Sequence, residues 1–309
     1  MKTATPKPPV FPLHGLILLN KHQDISSHSA MYKVKRLFQA EKAGHTGSLD
    51  PLATGMLPIC LGEATKFSQY LLDADKSYQA TGLLGSQTDT ADSTGKVIAC
   101  TESFSVTLGQ LQQALEQFKG EVVQTPSMYS ALKFQGRPLY EYARQGIAVD
   151  VKARNIAIHD LQLLAFDGQS FTIRVSCSKG TYIRNLVEDI GLALGVGAHL
   201  TQLHRLYTAG FDKHPMISLD ELAALQADER RGWILPPDCL VSCFPILRLS
   251  QELVLSIYQG RVLREDYFPA QAGIYRLYTP EGTFFGLADL DDLQQLKANR
   301  LYNSAYILG

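Results

Sequence analysis

The chain has 309 residues, of which 45% are hydrophobic and 19% are charged, and this balance excludes a globally disordered protein. Its 29 lysines and arginines against 30 acidic residues give a formal net charge of -1. That charge excludes a histone-like polycation, but it leaves room for a local basic face that binds a nucleic acid. At roughly 100–200 residues per domain, the length predicts about two domains.

Three further features of the sequence bear on the compartment and on membrane association. The five cysteines are odd in number and scattered, which does not fit a disulfide framework. The amino-terminal sequence MKTATPKPPVFPLHG has prolines where a signal peptide needs an apolar run. The apolar stretches are far shorter than the roughly 20 residues that a membrane span needs. We therefore expect a cytoplasmic protein that does not bind a membrane.

The predicted elements follow from hydrophobic periodicity and from turn residues. Residues 1–14 are rich in proline and are expected to form a poorly ordered N-terminal arm. In chain order, the remaining patterns predict a strand over residues 15–20, a helix over 30–38, a loop over 43–62, a strand over 76–85, a helix over 107–118, a hairpin or loop over 130–140, a short helix over 139–144, a strand over 171–178, and helices over 181–194 and 219–227.

The last quarter of the chain differs in pattern. The run PPDCLVSCFP at about residues 236–246 predicts a linker, and short apolar segments over 247–309 predict a small β-rich domain after a main domain over 15–236. Because strands and helices are interspersed without a regular βαβ alternation, we predict an α+β fold with a mixed or largely antiparallel sheet. No Gly-x-Gly-x-x-Gly or phosphate-binding P-loop motif is present, so no nucleotide cofactor is predicted.

The segment GHTGSLDPLATGMLP at residues 44–58 is the strongest candidate for a functional loop. Its glycines allow tight turns, whereas its three leucines and its methionine are too apolar for a solvated loop. We therefore expect the loop to pack into the protein and to hold Asp50 in a partly dry pocket. The alternative is that Asp50 only fixes an Asp-Pro turn through its own backbone. The loop alone leaves both interpretations open.

The same loop closely resembles the catalytic loop of the TruB family of pseudouridine synthases, bacterial enzymes that convert uridine 55 in the T-loop of tRNA. The resemblance covers about residues 15–210 and continues, in order, in GEATK (62–66), KSY (76–78), PSMYSALK (126–133), GRPLYEYARQG (136–146), CSKGTYIR (177–184) and GAHL (197–200). The tail from about residue 247 looks like the small PUA-type RNA-binding domain of the family. One departure lies at residues 21–27, where KHQDISS replaces the usual Lys-Pro-x-Gly-x-Thr-Ser and changes a turn near the site.

The resemblance implies an isomerase that breaks a nitrogen–carbon glycosidic bond, turns the uracil and forms a carbon–carbon bond. Such a reaction needs neither a redox cofactor, nor ATP, nor a metal. Asp50 is the expected nucleophile at the anomeric carbon, or the base that removes a proton from the neighbouring sugar carbon, and both routes stay open. The uridine must be flipped out of its stack to reach this carboxylate.

The resemblance also implies roles for other side chains around Asp50. Tyr78 is expected to stack on the uracil, Tyr182 to line the pocket, Arg184 to pair with Asp50, Leu203 to pack on the uracil, His45 to enter the RNA loop and Lys21 to lie near the pocket. Without the resemblance the tyrosines and Leu203 would be assigned to the core, Arg184 to an exposed helix face and His45 to a turn cap. Phosphate contacts are expected from a basic set, each of which alone would be a solvated surface residue: Lys133, Arg137, Arg144, Lys152, Arg154, Lys179 and Arg205.

The sequence is therefore compatible with three functional hypotheses. The first is a tRNA pseudouridine-55 synthase that acts on the T-arm as a monomer without an obligate protein partner. The second is a binding module that grips and unfolds the tRNA elbow, and this chaperone activity could coexist with catalysis. The third is a glycosidase, which would need two carboxylates roughly 5–10 Å apart, whereas the loop offers only Asp50.

Overall fold

The computed structural model describes residues 13–308, so the predicted N-terminal arm lies almost wholly outside the described residues. The strands are β1 (Gly15–Lys21), β2 (Ala43–His45), β3 (Thr54–Leu61), β4 (Lys76–Leu84), β5 (Ser86–Thr88), β6 (Val97–Cys100), β7 (Gly120–Gln124), β8 (Lys133–Phe134), β9 (Arg137–Pro138), β10 (Arg154–Phe166), β11 (Ser170–Cys177), β12 (Ala198–Thr208), β13 (Ile217–Ser218), β14 (Ile246–Arg248), β15 (Gly273–Tyr278), β16 (Phe284–Leu290) and β17 (Leu296–Leu301). The helices are α1 (Ser27–Leu37), α2 (Ser68–Leu72), α3 (Leu108–Glu116), α4 (Leu139–Arg144), α5 (Ile183–Ala193), α6 (Leu219–Ala224), α7 (Ala227–Arg231) and α8 (Gln251–Tyr258), with 3₁₀ turns at Gly62–Phe67, Pro237–Val241 and Ser304–Tyr306.

A large mixed sheet forms the centre of the molecule. Its strand order is β13-β1-β3-β12-β4-β11-β10-β7, and β2 adds a short pairing to β3. Between residues 13 and 308, the parallel pairs of this sheet are β1–β13 and β12–β3, and its other pairs are antiparallel. A second sheet of four strands, β14-β15-β16-β17, is formed by the last part of the chain. The predicted α+β class with a largely antiparallel sheet and a small β-rich C-terminal part is thus confirmed.

Most of the predicted elements lie within a few residues of their observed positions. The helix predicted over 107–118 begins with Thr107 and Gln110 in a reciprocal capping box. Helix α5 presents a continuous buried face that packs on β12 and β4, as its helical spacing of apolar residues requires. The segment predicted as one helix over 219–227 forms two short helices, α6 and α7.

The prediction of a loop over residues 43–62 is wrong at both ends, since Ala43–His45 forms β2 and only residues 46–53 form a loop. Thr54–Leu61 forms the buried strand β3 between β1 and β12. Gly55 and Pro58 suggested a loop, but Gly55 serves a close approach of two strands, since a Cβ atom there would lie 2.3 Å from the carbonyl oxygen of Arg205. The run between them is apolar on both faces, as is typical of a central strand.

The two sheets share one apolar cluster, which we call the joint cluster. It combines Leu18 and Met56 from the large sheet and Phe67 from the first 3₁₀ turn with Phe284 and Tyr302 from the last part of the chain, and other buried residues complete it. The rings of Phe67 and Phe284 lie 5.3 Å apart. Leu240 and Val241 of the predicted linker belong to the same cluster, so this segment is packed into the protein.

The assignment of residues 15–236 to catalysis and of residues 247–309 to RNA binding stays a prediction. The geometry shows only that the second sheet has a core of its own, which includes Val254 and Phe285, in addition to its share of the joint cluster. None of the helices between residues 13 and 308 is both long and apolar enough to cross a membrane.

Candidate active site

A pocket of about 230 Å³ is lined in part by residues 47–50 of the loop between β2 and β3. Five of the predicted site residues line it: Asp50, Tyr78, Tyr182, Arg184 and Leu203. They come from segments that are distant in sequence, namely the loop before β3, the strands β4 and β12, and the start of α5. His45 and Lys21 do not line this pocket.

The backbone on either side of Asp50 is fixed by the segment at residues 21–27. The Ser27 hydroxyl donates to the Leu49 carbonyl at 2.8 Å and accepts from the Leu49 amide at 2.7 Å. On the other side of Asp50, the Asp24 amide donates to the Pro51 carbonyl at 2.8 Å. Because both neighbours of Asp50 are hydrogen-bonded to the same segment, the carboxylate is held in one position over the pocket.

Asp24 occupies the position where the family usually has glycine, and it adopts φ +65°. This left-handed conformation is easiest for glycine, but aspartate tolerates it better than most residues. The turn therefore keeps its left-handed geometry despite the departure from the family pattern.

Lys21 is fully buried behind the loop, rather than exposed to the pocket. Its Nζ donates to the carbonyls of Ile25 at 2.8 Å, His22 at 2.9 Å and Pro51 at 3.4 Å. Burial lowers the pKa of Lys21 to about 8, although the nearby carboxylate of Asp50 favours the charged form. Lys21 therefore fixes the turn that carries Asp50, and it lies near the pocket without touching its surface.

Arg184 joins two carboxylates at the base of the pocket. Its Nε lies 3.0 Å from Oδ2 of Asp50, and its Nη1 lies 3.3 Å from Oδ2 of Asp92. Two backbone carbonyls, those of Thr90 and Tyr129, each accept from the guanidinium at 3.1 Å. With its side chain only 6% exposed, the guanidinium is held by four partners. The expected contact between Arg184 and Asp50 is therefore present in the structure.

The two carboxylates differ in their exposure. The Asp50 side chain is 45% exposed towards the pocket, whereas the Asp92 side chain is only 5% exposed. Burial raises the pKa of the Asp50 carboxyl, which Arg184 opposes, and the Asp92 charge adds to the upward shift. Asp92 also accepts hydrogen bonds from Thr90 Oγ1 at 2.8 Å and from Thr94 Oγ1 at 2.6 Å. A reactant can therefore reach Asp50, while Asp92 is enclosed.

Sequence reasoning missed Asp92. The run TDTADST at residues 88–94 is dense in aspartate and threonine, and this is the only signal that the sequence offers. Such a run is also typical of an ordinary turn. Nothing in its spacing links it to an arginine 92 residues further along the chain.

Tyr78 and Leu203 form the apolar wall of the pocket from adjacent antiparallel strands. Both are nearly buried, at 9% and 8% exposure, so little more than one face of each is open to the pocket. Burial raises the pKa of Tyr78, which keeps the phenol neutral. A flat, neutral ring beside a leucine side chain is suited to packing on a planar base.

Arg205 lies beneath this wall and is not the surface phosphate contact that the sequence suggested. Its side chain is almost fully buried, at 1% exposure. Its Nε donates to the Met56 carbonyl at 2.6 Å and its Nη2 donates to the Gly47 carbonyl at 3.0 Å. The prediction for Arg205 is therefore wrong, because its charge is used to tie the Gly47–Asp50 turn to β3.

Tyr182 is positioned by a residue that sequence reasoning also missed. The buried Gln124 donates through Nε2 to the Tyr182 carbonyl at 3.0 Å, and its Oε1 accepts from the Tyr182 amide at 2.8 Å. This double contact fixes the turn from β11 into α5. The guanidinium of Arg154 lies 5.3 Å from the centroid of the Tyr182 ring.

His45 lies in β2, opposite Ile59 of β3, and is partly buried. Burial lowers its pKa, and the charge of Arg205 acts in the same direction. Its expected entry into an RNA loop stays a prediction. Within residues 13–308, no group of three or more His, Cys, Asp or Glu side chains is arranged to hold a metal ion.

Three domain models of one protein family match successive parts of the chain. They are "TruB family pseudouridylate synthase (N terminal domain)" over residues 35–183, "tRNA pseudouridylate synthase B C-terminal domain" over 184–242 and "Pseudouridine synthase II TruB, C-terminal" over 245–302. The tRNA pseudouridine synthase B of Legionella pneumophila (strain Lens) is 51% identical over 95% of this chain and 97% of its own length. That of Pasteurella multocida (strain Pm70) is 49% identical over 94% and 95%, respectively.

Solved structures agree at the level of the fold. A chain in "Crystal Structure of a Cbf5-Nop10-Gar1 Complex" matches with a TM-score of 0.69 at 24% identity, over 94% of this chain and 85% of that chain. A chain in "Structure of H/ACA RNP bound to a substrate RNA containing 2'-deoxyuridine" matches with a TM-score of 0.68 at 23% identity, over 94% and 85%. Identity near one half over almost the entire length of both chains places the protein in one family. The chain belongs to the TruB family of pseudouridine synthases.

Proposed function

We propose that this pseudouridine synthase isomerises uridine 55 in the T-loop of tRNA, with Asp50 as the nucleophile or base at the ribose. One observation carries the proposal. The Asp50 carboxylate is open to an aromatic-lined pocket while it contacts the buried guanidinium of Arg184. The substrate class is supported by the relatives, which are named tRNA pseudouridine synthase B.

The arrangement suits a carboxylate that acts on a sugar. Arg184 favours the ionised form of Asp50 and holds its orientation, because a guanidinium pairs well with a carboxylate. The apolar wall limits the water that could trap a reactive sugar intermediate. A single carboxylate serves attack on the anomeric carbon and proton abstraction from the neighbouring carbon equally well, so the proposal includes both routes.

Flipping the uridine out of its stack costs a few kcal/mol. Stacking on an aromatic ring contributes about 1–3 kcal/mol per base and offsets much of this cost. Tyr78 is the ring that we assign to this role, since it faces the pocket beside Leu203. Tyr182 also lines the pocket and lies two residues before Arg184 in the sequence.

Asp50→Asn tests the proposal most directly. Wild type is expected to produce pseudouridine at position 55 of an unmodified tRNA transcript, mapped at single-nucleotide resolution. The variant should be at least about 10³-fold slower, because amide oxygen is neither a nucleophile nor a base of the required strength. Asp228→Asn, a change of the same kind at an exposed position on α7, is the matched control and should leave the rate unchanged.

The same variant separates catalysis from binding. Asp50→Asn should still bind tRNA, and a tRNA chaperone activity, which we include in the proposal, should persist in it. Pseudouridine at a different position would reject the assignment to uridine 55. Undiminished conversion by Asp50→Asn would reject the carboxylate mechanism.

The proposal also covers assembly and compartment. We propose activity as a monomer without an obligate protein partner, because the fold of a single chain already brings Asp50, Arg184 and Tyr78 together in one pocket. We propose that the enzyme works in the cytoplasm, where it would meet its tRNA substrate.

A further inference from the structure

A second depression, of about 560 Å³, adjoins the active-site pocket. Leu72, Ser178 and Gly180 line both depressions, so the two form one continuous surface. We call the second depression the Arg154 groove. Its other lining residues are Glu121, Arg154, Asn155, Ile156, Ala157 and Lys179.

Arg154 is the cation in this groove whose donors are free. Its guanidinium lies 5.3 Å from the centroid of the Tyr182 ring and makes no hydrogen bond or ion pair within the described part of the chain. Lys179 is different, because its Nζ is 2.9 Å from a carboxylate oxygen of Asp73. A guanidinium stacked on a ring keeps its in-plane donors directed outwards, where they can meet an anion.

Because Gly180 has no side chain, nothing projects from the surface between Tyr182 and Arg154 at this position. The residue has φ +81°, and a Cβ atom there would lie 3.0 Å from Nη1 of Arg154. A side chain at position 180 would therefore push against the guanidinium and raise a ridge between pocket and groove. With glycine, an extended polymer can pass from one depression into the other.

The chemistry of a flipped nucleotide indicates what passes there. A uridine in the Asp50 pocket remains joined to its neighbours through a phosphodiester on each side. The RNA backbone must therefore pass over the rim of the pocket, and at least one of these two phosphates must lie there. A guanidinium with free donors is the side chain that best matches two phosphate oxygens. The carboxylate of Glu121 also lines the groove, and its negative charge repels other anions. The site is therefore suited to one phosphate and not to a highly charged polyphosphate.

We propose that Arg154 binds a phosphate directly adjacent to the flipped uridine, and that the RNA backbone crosses the protein at Gly180. This inference rests on the proposed function, since it concerns the RNA that the Asp50 pocket would modify. Among the basic residues that the sequence suggested for phosphate binding, it singles out Arg154 and gives it one defined partner. The competing role for Arg154 is purely structural, as a support for the Tyr182 ring.

Salt dependence separates these two roles. For Arg154→Ala we expect tRNA binding to weaken about tenfold, and the slope of log Kd against log salt to fall by about 0.7–0.9, which corresponds to one lost phosphate contact. Arg174→Ala is the matched control, because Arg174 is an exposed arginine on β11, and it should leave affinity and slope unchanged. Arg154→Lys should restore the slope and only part of the affinity.

A neutral phosphate analogue identifies the partner directly. T-arm oligonucleotides with a single methylphosphonate on the 5′ or the 3′ side of the target uridine are titrated against wild type and Arg154→Ala. At one of the two positions the analogue should weaken binding to wild type about tenfold and have no further effect on Arg154→Ala. Additive losses at both positions would overturn the proposal. So would an Arg154→Ala variant with an unchanged salt slope and a reduced conversion rate, since that is the behaviour of a support for Tyr182.

Binding and conversion are measured separately, so the two proposals fail in different ways. Wild type that binds the T-arm with the expected coupling but produces no pseudouridine would contradict the proposed function alone. Wild type that converts uridine without any coupling between Arg154 and a flanking phosphate would contradict the Arg154 proposal alone.

Discussion

Arg184 sits between two carboxylates whose surroundings are unequal. Asp92 is enclosed and has threonine donors of its own, whereas Asp50 faces the pocket and can change its bonding during a reaction. The carbonyls of Thr90 and Tyr129 further restrain the guanidinium. Arg184 therefore keeps its place when Asp50 is protonated or engaged with a substrate, because its other partners remain.

Replacement of Arg184 by glutamine should affect both the rate and its pH dependence. Burial raises the pKa of the Asp50 carboxyl and Arg184 opposes that shift, so removal of the guanidinium should raise the pKa further. In the mechanism that we propose, the ionised carboxylate is the reactive form, so activity should be lost as pH falls through this pKa. The acid limb of the variant should then lie at higher pH than that of wild type. Single-turnover rates across the acid range measure this displacement.

We also expect Arg184→Gln to lose well over tenfold in single-turnover rate near neutral pH, because Asp50 is then poorly oriented and Asp92 is buried without its cation. Arg184→Lys retains the charge but cannot span both carboxylates in the same geometry, so it should be intermediate. A rate within about tenfold of wild type for Arg184→Gln would contradict the role that we assign to the guanidinium.

At the scale of elements, the segment at residues 21–27 shows how a turn survives a change of sequence. The family pattern places glycine where this chain has Asp24, yet the backbone still enters the left-handed region and still donates to the Pro51 carbonyl. What the active-site loop requires is the conformation and the amide, and both are compatible with aspartate. Aspartate in place of glycine at position 24 therefore leaves the backbone of the turn unchanged.

Two substitutions at position 24 separate the backbone effect from the loss of the carboxylate. Asp24→Ala should lower the free energy of unfolding by about 1–2 kcal/mol, because alanine is strained at positive φ. Asp24→Gly also removes the carboxylate, but it should stay within about 1 kcal/mol of wild type, since glycine adopts this conformation freely. Urea denaturation provides the comparison. Equal stability of the two variants would show that the left-handed backbone imposes no strain here.

Local patterns predicted the elements well where one face of a helix or strand is buried. The spacing of apolar residues was enough for α5, and a capping box was enough to place the start of α3. The strands β3, β10 and β12 were not predicted. Gly55 and Pro58 interrupt β3, bulges interrupt the pairing of β10 with the adjacent β11, and β12 pairs with β4, which is distant in sequence. Strand pairing is a long-range property that short patterns do not contain.

The sequence predicted those site residues that belong to recognisable family motifs. Asp50 and four of the six side chains expected around it do line one pocket, whereas the residues that support this pocket were missed or misplaced. Lys21 and Arg205 are cations buried beneath the loop, and a sequence places such residues on the surface by default. Asp92 and Gln124 contact residues 92 and 58 positions away, so only the folded chain brings them to the site.

At the scale of the molecule, the joint cluster couples the two sheets. Phe284 packs against Phe67 at 5.3 Å and against Tyr302 at 5.6 Å, so rings from both parts of the chain meet in one core. The Lys66 ammonium donates to the Leu301 carbonyl at 2.8 Å beside this cluster. We therefore expect both sheets to unfold in a single cooperative transition.

Neighbouring phenylalanines on β16 test this coupling, since they belong to different clusters. Phe284→Ala should lower stability by about 3–5 kcal/mol and split thermal unfolding into two transitions, because it opens a cavity between the sheets. Phe285→Ala is the matched control, since it lies in the core of the second sheet, and it should destabilise by a similar amount without uncoupling the large sheet from the joint cluster. A single transition in Phe284→Ala, measured by calorimetry, would argue against the coupling.

The joint cluster has a consequence for any RNA that touches both sheets at once. A hinge between the two would let the protein adjust to its ligand, but a shared core of packed rings gives the pair a set separation and angle. The RNA must then change shape instead of the protein, and this costs free energy. RNAs whose shape already matches the distance and angle between the two sheets therefore lose the least binding free energy. Selection in this enzyme would accordingly begin with the contour of the whole nucleic acid, before any individual base enters the pocket.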